Sequence, residues 1–110
     1  MADIVQDVMR ELFAAPLGDR YQTLETLPVG SIIAEDAGLG IDRSDGVPIV
    51  QIVQQGRSMD QKQTVYGELA RRLSAEDLVR PEGLIISVVS NDREDWPFGR
   101  GRAQFLTGEL

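Results

Sequence analysis

One stretch, residues 48–90, restricts the fold more than any other. It opens with "PIVQIVQ" (48–54), a β-branched apolar run that reads as a strand buried on one face. "GRSMDQKQTVYGELARRLSAED" follows. Ser58 stands three residues before Gln61, the spacing of a capping box, and Asp60 places a negative charge in the first helical turn. Val65, Leu69 and Leu73 then recur every four residues, with Tyr66 and Ala70 widening the stripe, and Arg71 and Arg72 suit the helix C-terminus. "LIISVVS" (84–90) is a second strand of buried type. Two strands joined by a helical crossover must run parallel, with a right-handed connection.

The first half repeats part of this pattern. Ile4, Val8 and Leu12, flanked by Val5 and Phe13, predict an amphipathic helix over 2–14. Pro16 and Gly18 in "APLGDR" stop it. "RYQTLETL" predicts a strand near 20–26. Residues 28–48 are rich in Gly, Asp and Pro and read as a long surface connection with a brief strand at 31–34. The helix over 2–14 therefore resembles the middle of another strand–helix–strand unit whose leading strand is not in the sequence. The fold class expected is α/β (α+β): β-α-β units forming a mixed sheet with two helices, as one domain over 1–110.

Composition narrows the chemistry. The 110 residues include no cysteine and no histidine, which excludes thiol and Ser-His-Asp catalysis and the usual zinc ligands. The net charge of −7 is the wrong sign for a phosphate-backbone binder, so no nucleic acid partner is expected. No apolar run approaches the roughly 20 residues of a membrane span, and Asp3, Asp7 and Arg10 interrupt any secretory pattern. A cytoplasmic location, with no membrane association, is the expectation.

Three places can carry chemistry. "QGRS" (55–58) lies between a strand and a helix N-terminus, where free backbone N–H groups and the helix dipole favour an anion. Arg57 adds a planar donor fork; a solvated arginine at a helix start is an equal reading. Asp19 in "GDRYQ" can accept a proton or orient water, or simply make a turn beside Arg20. In "DWPFGRGRAQF" two aromatics flanked by glycines can wall an apolar pocket, or belong to the core or a subunit interface. "GRGR" alone, on an acidic chain, is weak evidence for RNA binding, and "GLGIDRSDG" matches no phosphate-loop spacing, so its glycines read as turns.

"DRYQT", "AEDAGLGIDRS", "GRSMDQK" and above all "DWPFGRGRAQFLTGEL" together resemble the tautomerase superfamily, and within it the malonate semialdehyde decarboxylase branch. The resemblance runs in order from about residue 3 to the C-terminus. It implies two β-α-β units per subunit, a homotrimer, and action on a small carboxylate substrate without metal or organic cofactor. It implies catalytic roles for Asp19, which would activate water or polarise a carbonyl, and for Arg57, which would hold the substrate carboxylate. Gln55 falls where the branch has a second arginine; a neutral amide still donates but brings no charge. Tyr21, Trp96, Phe98, Phe105 and Leu110 fall at substrate-binding positions. The family's first strand and its N-terminal proline have no counterpart in the sequence. The activity implied is that of a lyase on a small β-keto or semialdehyde acid. The alternatives are a keto–enol tautomerase or hydratase on small unsaturated acids, or a catalytically silent trimeric carboxylate binder.

Overall fold

The computed structural model describes residues 1–15, 18, 20–35, 38–41 and 47–109. Helix α1 spans Ala2–Leu12, strand β1 Ile49–Gln55, helix α2 Met59–Ala75, strand β2 Ile85–Asn91 and a short helix α3 Gln104–Thr107. Single 3₁₀ turns occupy Pro81–Gly83 and Arg93–Asp95. β1 and β2 are parallel, in register from Ile49 opposite Ile85 to Gln55 opposite Asn91, with α2 as the crossover. The strand–helix–strand pattern expected over 48–90 is therefore present, each strand displaced one residue toward the C-terminus.

The capping box forms as its spacing dictates. Ser58 Oγ accepts from the Gln61 N–H at 3.1 Å, and Gln61 Oε1 accepts from the Ser58 N–H at 3.0 Å. Val65, Leu69 and Leu73 are completely buried. With Val8 and Phe13 of the α1 region, Val65 and Leu69 make the core cluster, and Ile52 and Ile86 pack against it. Both long helices thus cover one face of the sheet. The other face carries Ile49, Val53 and Val89, all more than 40% exposed, so β2 is covered on one side only. A second tie joins the helices: Arg72 bonds Glu68 on its own helix at 2.8 Å and reaches across to Glu11 on α1.

Three expectations need correction. α1 ends two residues early, because Ala14 turns into the left-handed region at φ +55°; Pro16, the expected stop, lies outside the described residues. No strand forms over 20–26. A strand needs a hydrogen-bonded neighbour, and β1 and β2 pair only with each other. The segment instead carries no regular structure and is tied to α1, by the Arg20–Asp3 ion pair at 2.9 Å and by Gln22 Nε2 donating to the Ala2 carbonyl at 3.2 Å. Residues 31–34 likewise form no strand: the Ser31 N–H closes a turn on the Pro28 carbonyl, and Ile33 is 85% exposed. Among the described residues the sheet is accordingly two-stranded and wholly parallel, and the antiparallel strands of a mixed sheet are not among them. No helix there is long and apolar enough to cross a membrane.

Candidate active site

A cleft of about 750 Å³ opens between α1, the edge of β1 and the C-terminal segment. Val5, Met9 and Phe13 line it from the α1 side, residues 50–55 from the strand, and Trp96, Phe98 and Phe105 from the tail. Tyr21, Gln55 and Arg57 also line it. Six residues expected at the site from sequence (Tyr21, Gln55, Arg57, Trp96, Phe98 and Phe105) therefore meet in one place, from four separate stretches of chain. Asp19 and Leu110 lie outside the described residues.

Arg57 is held by carbonyls. Its guanidinium donates to the carbonyls of Gln55 at 3.1 Å, Gly56 at 3.2 Å and Phe13 at 3.0 Å. It also lies 5.6 Å from the centroid of the Phe13 ring. The Phe13 carbonyl stands at the C-terminal end of α1, where the helix dipole is negative and a cation is favoured. Among the described residues no carboxylate bonds the guanidinium, and three carbonyls position it. Glu109 is the one carboxylate among the described lining residues, and it already pairs with Arg102 at 3.4 Å and accepts from Thr107 Oγ1 at 2.7 Å.

The helix N-terminus itself contributes less than its position suggests. The Ser58 and Gln61 N–H groups are consumed by the capping box, and the Gly56 N–H donates to the Asn91 carbonyl at 3.1 Å. The Arg57 guanidinium is the one cationic side chain among the described lining residues.

The opposite wall is aromatic. Phe98 is its hub, with ring centroids 5.3 Å from Tyr21 and 5.5 Å from Trp96, both stacked, and 5.7 Å from Phe105, edge-on. Arg93 lies over Phe105 at 5.9 Å. The Trp96 indole N–H donates to Asn91 Oδ1 at 2.7 Å. "GRGR" is a two-residue hairpin turn: Gly99 and Arg102 bridge, and Arg100 and Gly101 both have positive φ, at +58° and +68°. A cation with no carboxylate partner among the described residues lines the same cleft as a wall of stacked rings, which suits a small acid whose carboxylate meets the charge.

Comparison with known proteins gives the family. The sequence profile of the tautomerase enzyme family matches residues 19–99. The chain belongs to the tautomerase family. It is 40% identical over all 110 of its residues, and over 85% of the relative, to Probable tautomerase YrdN of Bacillus subtilis (strain 168). It is 29% identical over 93% of its length, and 81% of the relative, to Probable tautomerase YusQ of the same organism. The crystal structure of a malonate semialdehyde decarboxylase with decarboxylase and hydratase activities superposes with a TM-score of 0.91, at 38% identity, covering 99% of this chain and 84% of that one. A second malonate semialdehyde decarboxylase, inhibited by 3-bromopropiolate, gives a TM-score of 0.92 and 42% identity over 99% and 83% of the two chains. Within the tautomerases the chain thus falls in the branch structurally similar to malonate semialdehyde decarboxylase.

Three residues lining this tautomerase cleft, Phe13, Gln54 and Gln104, escape a reading by sequence, as does Asn91, which holds the lining residue Trp96. Phe13 reads as core from its helical spacing, and its carbonyl role has no sequence signal. Gln54 Nε2 is buried, with no hydrogen-bond partner among the described residues. The amides of Asn91 and Gln104 act on residues five or six positions away, a range at which no helix or strand period points.

Proposed function

We propose that the chain is a cofactor-independent lyase of a small β-keto or semialdehyde carboxylate, folded as one domain. In this reading Arg57 binds the substrate carboxylate through a charge-assisted hydrogen bond. Loss of CO₂ breaks the bond between the carboxylate carbon and its neighbour, and the electron pair moves onto the aldehyde or ketone oxygen as an enolate. A proton delivered to carbon completes the product. Asp19 polarises the carbonyl through water or supplies that proton. The aromatic wall keeps water away from the carboxylate, which favours conversion of a charged group into neutral CO₂. Gln55 adds an amide donor beside Arg57.

The observation that carries this reading is the Arg57 guanidinium, fixed by three carbonyls at a largely apolar cleft, with no carboxylate partner among the described residues. The test is release of acetaldehyde from 3-oxopropanoate, with Arg57→Ala alongside. A charged hydrogen bond of about 1.5–3 kcal/mol implies a loss of roughly 10- to 150-fold in kcat/KM for that variant. Equal turnover by the two proteins defeats the assignment of Arg57. Tight binding of the acid without turnover favours the silent carboxylate binder instead.

We also propose that the functional unit is a homotrimer. The bare sheet face exposes Ile49, Val53 and Val89, and the connection after α1 exposes Leu24, Val29 and Ile33. The radius of gyration is 15.8 Å, whereas a compact chain of this length has about 13 Å. So much apolar surface on an extended outline is the mark of a subunit with covered faces.

A further inference from the structure

The cleft wall has an internal frame of its own. Residues 96–103 carry Phe98, the hub of the aromatic stack, yet lie between a single 3₁₀ turn and a four-residue helix. Neither element is long enough to fix a side chain by itself. What spans the gap is one carboxamide: Gln104 Oε1 accepts from the Phe98 N–H at 2.9 Å, and Gln104 Nε2 donates to the Gly99 carbonyl at 2.9 Å. The Arg102 N–H closes the hairpin turn over Arg100 and Gly101 on the Gly99 carbonyl at 3.2 Å, and the two Gln104 bonds clamp the backbone on both sides of the 98–99 peptide. Trp96 is anchored elsewhere, on Asn91 at the end of β2. The stack of Phe98 on Trp96 therefore depends on two independent supports, one from the sheet and one from Gln104.

We propose that Gln104 is a positioning residue that sets the substrate-facing surface of the aromatic wall by fixing Phe98 against Trp96 and Tyr21. The proposal rests on the reading of this wall as part of the substrate site. Its chemistry does not involve Gln104 itself: the carboxamide acts through Phe98. An amide suits the task because it is a donor and an acceptor on one rigid plane, so it can bind an N–H and a C=O of neighbouring residues at once.

Two variants separate positioning from mere stability. Gln104→Met keeps the length and removes both bonds. Gln104→Glu keeps the acceptor for the Phe98 N–H and removes the donor to Gly99. Trp96 is the single tryptophan, so its fluorescence reads the wall directly. Gln104→Met is expected to red-shift the emission and to raise the acrylamide quenching constant about two-fold or more. Each lost bond corresponds to a factor of roughly five in the ordered population and the two together to roughly 25, so the Kd for malonate as a carboxylate probe weakens about five- to 25-fold. kcat, where turnover is measured, stays within about two-fold, since Arg57 is untouched. Gln104→Glu falls between the two. A purely structural role lowers the Tm and leaves quenching and Kd at 25 °C at wild-type values, and that result overturns the proposal. If wild-type protein does not bind malonate, the reading of the site as a carboxylate cleft falls, while Trp96 quenching still decides the positioning role.

Discussion

Replacing Arg57 by lysine keeps the charge and removes the fork, which makes it the sharpest test of how the site is built. The guanidinium makes three bonds at 3.0–3.2 Å to carbonyls from two separate elements, and covers the Phe13 ring. An ammonium on a lysine stem can reach one of these carbonyls well, not all three, and it stacks less well on a ring. Two bonds lost at a half-buried site, each worth about 1 kcal/mol net, less the screening by solvent, amount to roughly 1–2 kcal/mol. At about 5 °C per kcal/mol for a domain of this size, the Tm falls by roughly 5–10 °C. The charge survives, so affinity for a small carboxylate drops only about tenfold, the difference between a bidentate fork and a point charge. Thermal unfolding followed by circular dichroism and calorimetric titration with malonate measure the two effects. A lysine variant with wild-type Tm and wild-type affinity would show that the three carbonyls do not organise the cation, and the account of the site would fail.

Further outcomes follow from the same structure. Leu69→Ala empties a completely buried position in the core cluster and is expected to cost about 2–5 kcal/mol in urea unfolding; a cost under 1 kcal/mol refutes the core assignment. Arg71, then Arg72, hold the Glu68 carboxyl down to about 2, and Arg72 lowers Glu11 as well. Because these folded-state values are depressed, their contribution is fully present above about pH 4.5 and is lost as pH falls toward 2. The double change Glu11→Gln with Glu68→Gln should therefore flatten the fall in urea midpoint across that window, and an unchanged slope counts against the pairing. Val53→Lys places a charge on the bare sheet face and is expected to convert a species of three times the 12.1 kDa chain mass into monomer by light scattering; an unchanged mass excludes that face from the interface.

The half of the chain that is legible in sequence is the half whose signals are local. The 48–90 unit announces itself because its cap, its four-residue apolar repeat and its two β-branched runs each specify structure within a few residues. The 20–34 region misleads for the converse reason. "RYQTLETL" has strand composition, but strand formation is a pairing event, and β1 and β2 satisfy each other without it. Its apolar side chains, Leu24 at 70% and Val29 at 83% exposure, are left outward, which no local pattern foretells. The candidate site divides the same way. Arg57 is visible as a fork beside a strand end, and Trp96 and Phe98 as a pair between glycines. Gln104 and Asn91 are invisible, because an amide that bridges a loop has neither period nor charge.

The location of Arg57 also changes the physical basis expected for anion binding in this fold. Position after a parallel strand suggests that backbone N–H groups at the start of α2 should receive the anion. The capping box that makes α2 start cleanly at Met59 takes the Ser58 and Gln61 donors for its own closure, and Asn91 takes Gly56. The cap therefore takes two of the backbone donors at this terminus. The cation comes from a side chain on the residue just before the cap, held by the Gln55 and Gly56 carbonyls at the end of β1 and by the Phe13 carbonyl at the C-terminal end of the other helix. Binding strength at such a site follows the guanidinium and its carbonyl partners. Substitutions at Ser58 or Gln61 should therefore weaken α2, by about 1 kcal/mol for loss of the cap, and leave carboxylate affinity at its wild-type value, whereas substitutions at Arg57 act on both.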